Sequence, residues 1–74
     1  MKKITAELIK QYIDEELIVE FDSEEECMEY FNIYDGQNFK SIEEMKEYQG
    51  EYGFGFGGKW YHINYEDVME ELTK

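Results

Sequence analysis

The sequence contains no arginine and no proline, and it has one cysteine and one histidine among 74 residues. The single thiol, Cys27, cannot form an internal disulfide, and no cluster of cysteine and histidine supplies the ligands of a zinc site. A disulfide-stapled fold and a zinc-stabilised fold are therefore excluded, and a reducing cytosol fits the composition. The absence of proline fits a chain without a linker, so we expect residues 1–74 to form a single compact acidic domain.

Long apolar runs are also missing. No segment approaches the roughly 20 apolar residues of a membrane-spanning helix, and the N-terminal residues lack the apolar stretch of a secretory signal peptide. The excess of acidic residues also disfavours direct binding to nucleic acid or to anionic lipid, because both would repel the chain. We expect a cytoplasmic protein that binds neither a membrane nor nucleic acid directly.

Acidic side chains dominate what is present. Nineteen aspartates and glutamates oppose seven lysines, which gives a formal net charge of −12. Self-repulsion of this size destabilises a compact state but accelerates encounter with cationic surfaces, so it favours a protein that has a basic partner. Aromatic residues make up 18% of the chain. Each aromatic side chain can bury roughly 150 to 250 Å², so a core can still form in a sequence that is otherwise polar.

Helical spacing of apolar residues predicts four helices. The first covers residues 4–15, and the other three follow Ser23, Ser41 and Asn64, which are residue types typical of helix N-caps. Ser23 and Ser41 are each followed three residues later by glutamate, which is the capping-box pattern. The inner faces predicted for the last three helices are Cys27, Tyr30, Phe31 and Tyr34; Ile42, Met45 and Tyr48; and Tyr65, Val68, Met69 and Leu72.

Two segments have the pattern of strands. Residues 17–21 are short, branched and apolar. Residues 51–63 alternate with period two on both sides of Gly57 and Gly58, a pair that suits a tight hairpin turn. The predicted fold is α+β in the order α-β-α-α-β-β-α, with a small three-stranded antiparallel sheet and about four helices packed on one of its faces.

The hairpin segment also satisfies the G-x-G-x-x-G pattern of nucleotide-binding loops, between Gly53 and Gly58. That motif needs a helix directly after the glycines, whereas a strand is predicted there, so we expect no nucleotide site. The structural interpretation is that Gly53 and Gly55 leave one face of the strand without side chains, where a helix or a partner backbone can approach closely.

Pairs of like charge spaced four residues apart are the main functional signal. Each such pair costs a helix a few tenths of a kcal/mol, and the stabilising effect of acids in first helical turns accounts for only part of the set. The pairs are Glu25 and Glu29, Glu43 and Glu47, Glu66 and Glu70, and Asp67 and Glu71. They predict a functional acidic surface, and the alternative is a solvated helix face.

Aromatic residues of the second hairpin strand are further candidates. Trp60 and Tyr61 point to opposite faces of the strand, and tryptophan and tyrosine dominate interface hot spots when they are exposed. The alternative for Trp60 is a core position. The candidate partner-binding residues are Glu24, Glu25, Glu29, Glu43, Glu47, Glu66, Asp67, Glu70, Trp60 and Tyr61.

No group of residues predicts catalysis. His62 has no second histidine and no nucleophile at a characteristic spacing, so we expect a half-exposed strand residue rather than a catalytic or metal-binding one. Cys27, on the inner face of a helix, is predicted to be a small buried apolar group. We therefore expect a protein that is not an enzyme and that has no catalytic residue, metal site or cofactor.

Small size, acidic helices, an aromatic hairpin and the lack of catalytic groups together resemble a class of small inhibitors. These are the anti-CRISPR and anti-restriction proteins that phages and mobile elements encode against nucleic-acid enzymes. The resemblance is one of type, so no residue role is transferred from it. It implies a stoichiometric nucleic-acid mimic that serves host defence evasion in the cytoplasm of an infected bacterium. Its carboxylates would stand in for phosphates and occlude the basic groove of a DNA- or RNA-processing enzyme.

Two other functions use similar physics. One is an immunity protein or antitoxin that neutralises a basic toxin, and the other is an acidic adaptor or carrier protein. Asp22 and Ser23 resemble part of the Asp-Ser-Leu motif that carries phosphopantetheine in acyl carrier proteins, although Glu24 replaces the leucine. That resemblance implies an all-helical fold, whereas Ser23 as a helix N-cap has only a structural role. The sequence carries no signal for or against dimerisation.

We expect the thermal stability of the chain to rise with ionic strength, because screening reduces repulsion among twelve excess negative charges. Thermal melts followed by circular dichroism at low and at physiological salt measure this effect. A midpoint that stays flat or falls would mean that the lysines already neutralise the carboxylates.

Overall fold

A three-stranded antiparallel sheet with a pair of helices on each face organises the chain, and the computed structural model describes residues 3–73 of it. The predicted class and the order α-β-α-α-β-β-α are confirmed. No helix within the described range is long and apolar enough to cross a membrane. The elements are α1 (Ala6–Asp14), β1 (Ile18–Phe21), α2 (Glu24–Tyr34), α3 (Ile42–Gln49), a 3-10 turn (Gly50–Tyr52), β2 (Gly53–Phe56), β3 (Lys59–Ile63) and α4 (Glu66–Thr73).

The second hairpin strand is the centre of the sheet. The strand order is β1-β3-β2, and β3 pairs antiparallel with both neighbours. Phe21 pairs with Trp60, and Phe54 pairs with Tyr61. Because successive side chains of a strand point to opposite faces, Trp60 and Tyr61 belong to different layers of the protein.

Each face of the sheet has its own core, so the expectation that the helices pack on one face is wrong. Helices α1 and α4 cover the first core, which comprises Ile9, Tyr12, Ile18, Tyr61, Ile63, Val68 and Leu72. Helices α2 and α3 cover the second, which comprises Phe21, Cys27, Phe31 and Met45. The physical reason is that β1 and β3 carry apolar side chains at consecutive positions, which alternate between the two faces and leave both in need of cover.

Serine caps begin the two helices of the second core, as predicted. The Ser23 hydroxyl accepts a hydrogen bond from the Glu26 N–H at 3.2 Å, and the Ser41 hydroxyl accepts one from the Glu44 N–H at 3.3 Å. The Glu26 carboxylate bonds back to the N–H of Asp22 at 3.0 Å, one residue before the N-cap. These bonds satisfy N–H groups that have no partner within the helix.

Asn64 does not cap the last helix, which begins two residues later at Glu66. Its side-chain amide donates to the carbonyl of Glu16 at 3.1 Å, and its backbone N–H donates to the carbonyl of Leu17 at 2.9 Å. Asn64 therefore joins the end of β3 to the turn before β1, where Glu16 has a left-handed backbone with φ of 60°. This tertiary contact takes precedence over the local capping preference.

Four tyrosines predicted to face inward are exposed. Tyr30, Tyr34, Tyr48 and Tyr65 have exposed fractions of 41%, 76%, 52% and 56%. The inner strip of α2 is narrow and consists of Cys27 and Phe31. Tyr30 lies beside the edge strand β1, with its ring centroid 5.3 Å from that of Phe21. Tyrosine is compatible with a solvent-exposed helix side as well as with a core, so helical spacing alone did not distinguish an exposed tyrosine from a buried one.

The hairpin turn lies at Gly57 and Gly58, whose φ angles of 61° and 82° are those of a primed two-residue turn. The structural interpretation of the other hairpin glycines is confirmed. A Cβ at Gly53 would lie 2.9 Å from Cζ2 of Trp60 and 2.5 Å from Oε1 of Gln49. The Trp60 indole therefore packs across the bare face of β2.

Gly53→Ala should lower the free energy of unfolding by about 1 to 3 kcal/mol, because the added methyl overpacks the contact between Trp60 and Gln49. The backbone of Gly53 is extended, with φ of −109° and ψ of 138°, so the cost comes from contact rather than from conformation. Urea or thermal unfolding measures it.

Gly55→Ala is the matched control, since its Cβ would lie at an ordinary 3.4 Å from Trp60 Cε3. Its effect should stay within about 0.5 kcal/mol. Equal losses for the two variants would contradict the packing described here.

Candidate partner-binding surface

The charged pair Glu25 and Glu29 lies on the outer side of α2. Cys27 between them is 0% exposed and faces the sheet. Because each helical residue turns about 100°, positions two before and two after Cys27 lie on the opposite side of the helix. Both glutamates are exposed to solvent.

The same arrangement recurs on α3. Met45 is 0% exposed, and Glu43 and Glu47 lie two residues before and after it, both exposed. Helices α2 and α3 cover the same core and contact each other, so the outer sides of both are on the solvent side of this layer. We call the surface formed by Glu25, Glu29, Glu43 and Glu47 the acidic face.

Two lysines near this surface are engaged by other carboxylates. Lys46 pairs with Glu24 at 3.1 Å, and Lys59 lies 3.3 Å from Glu20 and 3.6 Å from Asp22. Within residues 3–73, the four glutamates of the acidic face form no ion pair and no side-chain hydrogen bond. The charge of the acidic face is therefore uncompensated, although an exposed patch is screened by salt.

The acidic candidates on α4 lie elsewhere. Val68 and Leu72 fix this helix on the other face of the sheet. Glu66 and Asp67 are exposed there, whereas Glu70 is partly buried. The structure thus separates the predicted residues into two sets, and no single flat contact includes both.

Trp60 lies at a groove beside the acidic face. The groove has a volume of about 610 Å³, and its lining includes Glu24, Glu25, Ile42 and Trp60. The Nζ atom of Lys46 is 4.9 Å from the centroid of the Trp60 ring. Trp60 is partly buried, so it contributes to the core and still has an accessible edge near the two glutamates.

Tyr61 is not a surface residue, so its assignment to a partner-binding surface is wrong. It is 4% exposed and stacks on Phe54 with a centroid distance of 5.1 Å. Its hydroxyl donates to Oε2 of Glu20 at 2.9 Å. Burial, together with the acceptor carboxylate of Glu20, raises the pKa of Tyr61 to about 12. The cause of the error is that α1 and α4 cover a face that was expected to be open.

A buried amide links β3 to α3, and no sequence pattern predicts this link. Trp60 Nε1 donates to Oε1 of Gln49 at 2.7 Å, and Nε2 of Gln49 lies 2.8 Å from Nδ1 of His62. The indole N–H can only donate, so the amide oxygen must face Trp60 and the amide N–H must face His62. His62 is therefore a neutral imidazole that accepts at Nδ1. Gln49 is 3% exposed.

Cys27 and His62 have structural surroundings. Burial raises the pKa of the Cys27 thiol to about 12, so the thiol stays protonated at neutral pH. The prediction that Cys27 is a small buried group is confirmed, because it is 0% exposed. His62 is partly buried, as expected for a strand residue. In the described part of the chain, no three acidic, histidine or cysteine side chains are placed to hold a metal ion.

No protein-family model matches the chain, and comparison with curated proteins and with solved structures gives no significant match.

Acidification should destabilise the fold through His62. Burial lowers the pKa of His62 below its ordinary value of 6.5, and the nearby charge of Asp35 opposes this shift. As the pH falls, the unfolded chain therefore protonates His62 before the folded chain does. The stability contributed by the neutral ring is complete above pH 6.5, and it is lost as the pH falls from 6.5 to the lower pKa of the folded state.

The measurement compares the melting temperatures of the native chain and of His62→Gln between about pH 7.5 and 5. The two chains have the same carboxylates, so the difference between their pH profiles reports the titration of His62. The native chain should lose stability relative to the variant as the pH falls. Parallel pH profiles would contradict the assigned role of the neutral ring.

Proposed function

We propose that this chain is a non-enzymatic inhibitor that binds the basic nucleic-acid-binding surface of a DNA- or RNA-processing enzyme and blocks access of the substrate. The observation that carries the proposal is the acidic face. Glu25 and Glu29 on α2, and Glu43 and Glu47 on α3, are exposed, point away from the sheet and have no ion pair within residues 3–73. Each pair costs stability, which is the expected cost of a surface kept for a cationic partner.

The spacing of these carboxylates suits a partner that binds phosphates. Residues four apart on a helix have Cβ atoms about 5 to 6 Å apart, and packed helices have axes about 8 to 10 Å apart. Two neighbouring helices therefore present two short rows of negative charge. Lysine and arginine side chains that neutralise phosphates of a nucleic acid can pair with such rows.

The groove at Trp60 adds an apolar element beside the charge. Charged rims mainly accelerate association, whereas a partly desolvated aromatic side chain contributes to the lifetime of a complex. Trp60 borders the same groove as Glu24 and Glu25. A partner that lies on the acidic face could therefore also contact the edge of the indole.

The carrier function receives no support from the fold. The three-stranded sheet departs from the all-helical fold that the acyl carrier resemblance implies. The Ser23 hydroxyl, the expected attachment point, accepts the N-cap hydrogen bond from Glu26. An immunity protein would use the same acidic face, and the identity of the captured partner distinguishes it from an inhibitor of a nucleic-acid enzyme.

The test compares two variants that have equal net charge. One changes the acidic face to Glu25→Gln, Glu29→Gln, Glu43→Gln and Glu47→Gln. The control changes four exposed acids of α1 and α4: Glu7→Gln, Asp14→Asn, Glu66→Gln and Asp67→Asn. The immobilised native chain first captures its partner from a bacterial lysate at low salt, and the affinity of each variant for that partner is then measured.

The acidic-face variant should bind more weakly by about 1 to 3 kcal/mol, much of it in the association rate, because steering and contact are both lost. Its thermal stability should hold or rise, since repulsion within each helix is removed. The control should bind almost as the native chain does. Equal losses for the two variants would mean that net charge alone matters, and unchanged affinity for the acidic-face variant would contradict the proposal.

A further inference from the structure

A second, smaller concavity opens on the α2 flank of the same helix pair. It has a volume of about 320 Å³, and its lining includes Tyr30, Phe31, Tyr34, Asp35, Tyr48 and His62. We call it the aromatic pocket. The neighbouring ring centroids are close: 5.2 Å between Tyr30 and Tyr34, 5.7 Å between Phe31 and Tyr48, and 5.3 Å between Phe31 and His62.

The exposure of this pocket is unusual for aromatic side chains. Tyr34 is 76% exposed and Tyr48 is 52% exposed, and Ile33 next to them is 70% exposed. The rings thus form walls that are open to solvent, above a floor made by the buried Phe31. Clustered exposed apolar groups of this kind mark a contact site more often than single exposed residues do.

Asp35 gives the pocket its charge. Its Oδ2 atom accepts from the Tyr48 hydroxyl at 3.1 Å and from Nε2 of Gln37 at 3.4 Å. Within residues 3–73, its Oδ1 atom accepts no hydrogen bond. Gln49 donates to His62 and so favours its neutral form, and Asp35 is then the one charged group among the described residues that line the pocket.

The end of α2 strengthens this negative potential. Asp35 is the C-cap residue, and the last turn of the helix contains no basic side chain. The C-terminal end of a helix carries partial negative charge, which is normally balanced by lysine, arginine or histidine. Here an aspartate occupies that end, and no lysine among residues 3–73 pairs with it, so the electrostatic preference for a cation is unsatisfied in this range.

We infer that the aromatic pocket binds an arginine side chain of the protein partner. A guanidinium group can stack on tyrosine rings and pair with a carboxylate at the same time. A pocket of this volume can hold one such side chain. A phosphate or nucleotide would be repelled by Asp35, and a purely apolar ligand would leave its carboxylate desolvated. That the arginine belongs to a protein partner rests on the proposed function. The affinity of the pocket for a guanidinium group does not depend on it.

The test uses a small probe and needs no partner. N-acetyl-arginine methylamide is titrated into the folded chain, with NMR signals of the His62 ring and of the tyrosine rings as the readout. The uncharged isostere N-acetyl-citrulline methylamide is the control ligand. Arginine should shift the pocket signals with a millimolar dissociation constant, and citrulline should bind at least about fivefold more weakly.

Three variants localise the site. Asp35→Asn keeps an acceptor for Tyr48 and should weaken arginine binding about two- to fivefold, while its melting temperature stays equal or rises because a charge opposed to the helix dipole is removed. Tyr34→Ala should weaken binding by a similar factor. Tyr65→Ala changes another exposed tyrosine, which does not line the pocket, and should have no effect.

The inference would be overturned if arginine and citrulline bound equally, if the pocket signals did not move at tens of millimolar arginine, or if Tyr65→Ala weakened binding as much as Tyr34→Ala does. None of these results bears on the acidic face, whose variants leave the pocket intact. Conversely, loss of the proposed function would leave a pocket that still binds arginine.

Discussion

The buried amide of Gln49 determines where the second helix layer lies. It accepts from Trp60 at 2.7 Å and meets Nδ1 of His62 at 2.8 Å, and both residues belong to the central strand. This contact needs a neighbour without a side chain, which Gly53 provides. It fixes the C-terminal end of α3 on the sheet. Because α3 is fixed in this rotation, with Met45 inward, Glu43 and Glu47 are directed away from the core.

The distribution of charge follows from this arrangement. Two lysines near the second helix layer, Lys46 and Lys59, are paired with Glu24, Glu20 and Asp22, which lie near the sheet or the groove. The outer sides of α2 and α3 keep their carboxylates without such compensation. Within residues 3–73 of this chain, whose net charge is −12, the acidic face is thus a patch of unpaired carboxylates that can steer a cationic partner. The aromatic pocket at the end of α2 lies on the flank of the same layer.

Local patterns in the sequence were sufficient to predict the helices and strands and their order. The serine caps, the Gly57-Gly58 turn and the helical spacing all depend on interactions within a few residues, and the structure agrees with them. Tertiary contacts account for the errors. Asn64 bonds to Glu16 and does not cap α4. The alternation of the strand predicted that Tyr61 and Trp60 lie on opposite faces of the sheet, but it did not predict that helices cover the face of Tyr61. Of the candidate site, the acidic pairs on α2 and α3 were predictable, but Gln49 was not, because a buried glutamine has no sequence signature.

If the acidic face occupies the site at which the partner holds nucleic acid, the chain and the nucleic acid compete for that site. This is measured as the affinity of the chain for its captured partner at increasing concentrations of a DNA or RNA ligand of that partner, at constant salt. We expect mutually exclusive binding, with an apparent dissociation constant that rises linearly with the concentration of nucleic acid. A stable complex that contains the chain, the partner and the nucleic acid together would contradict it.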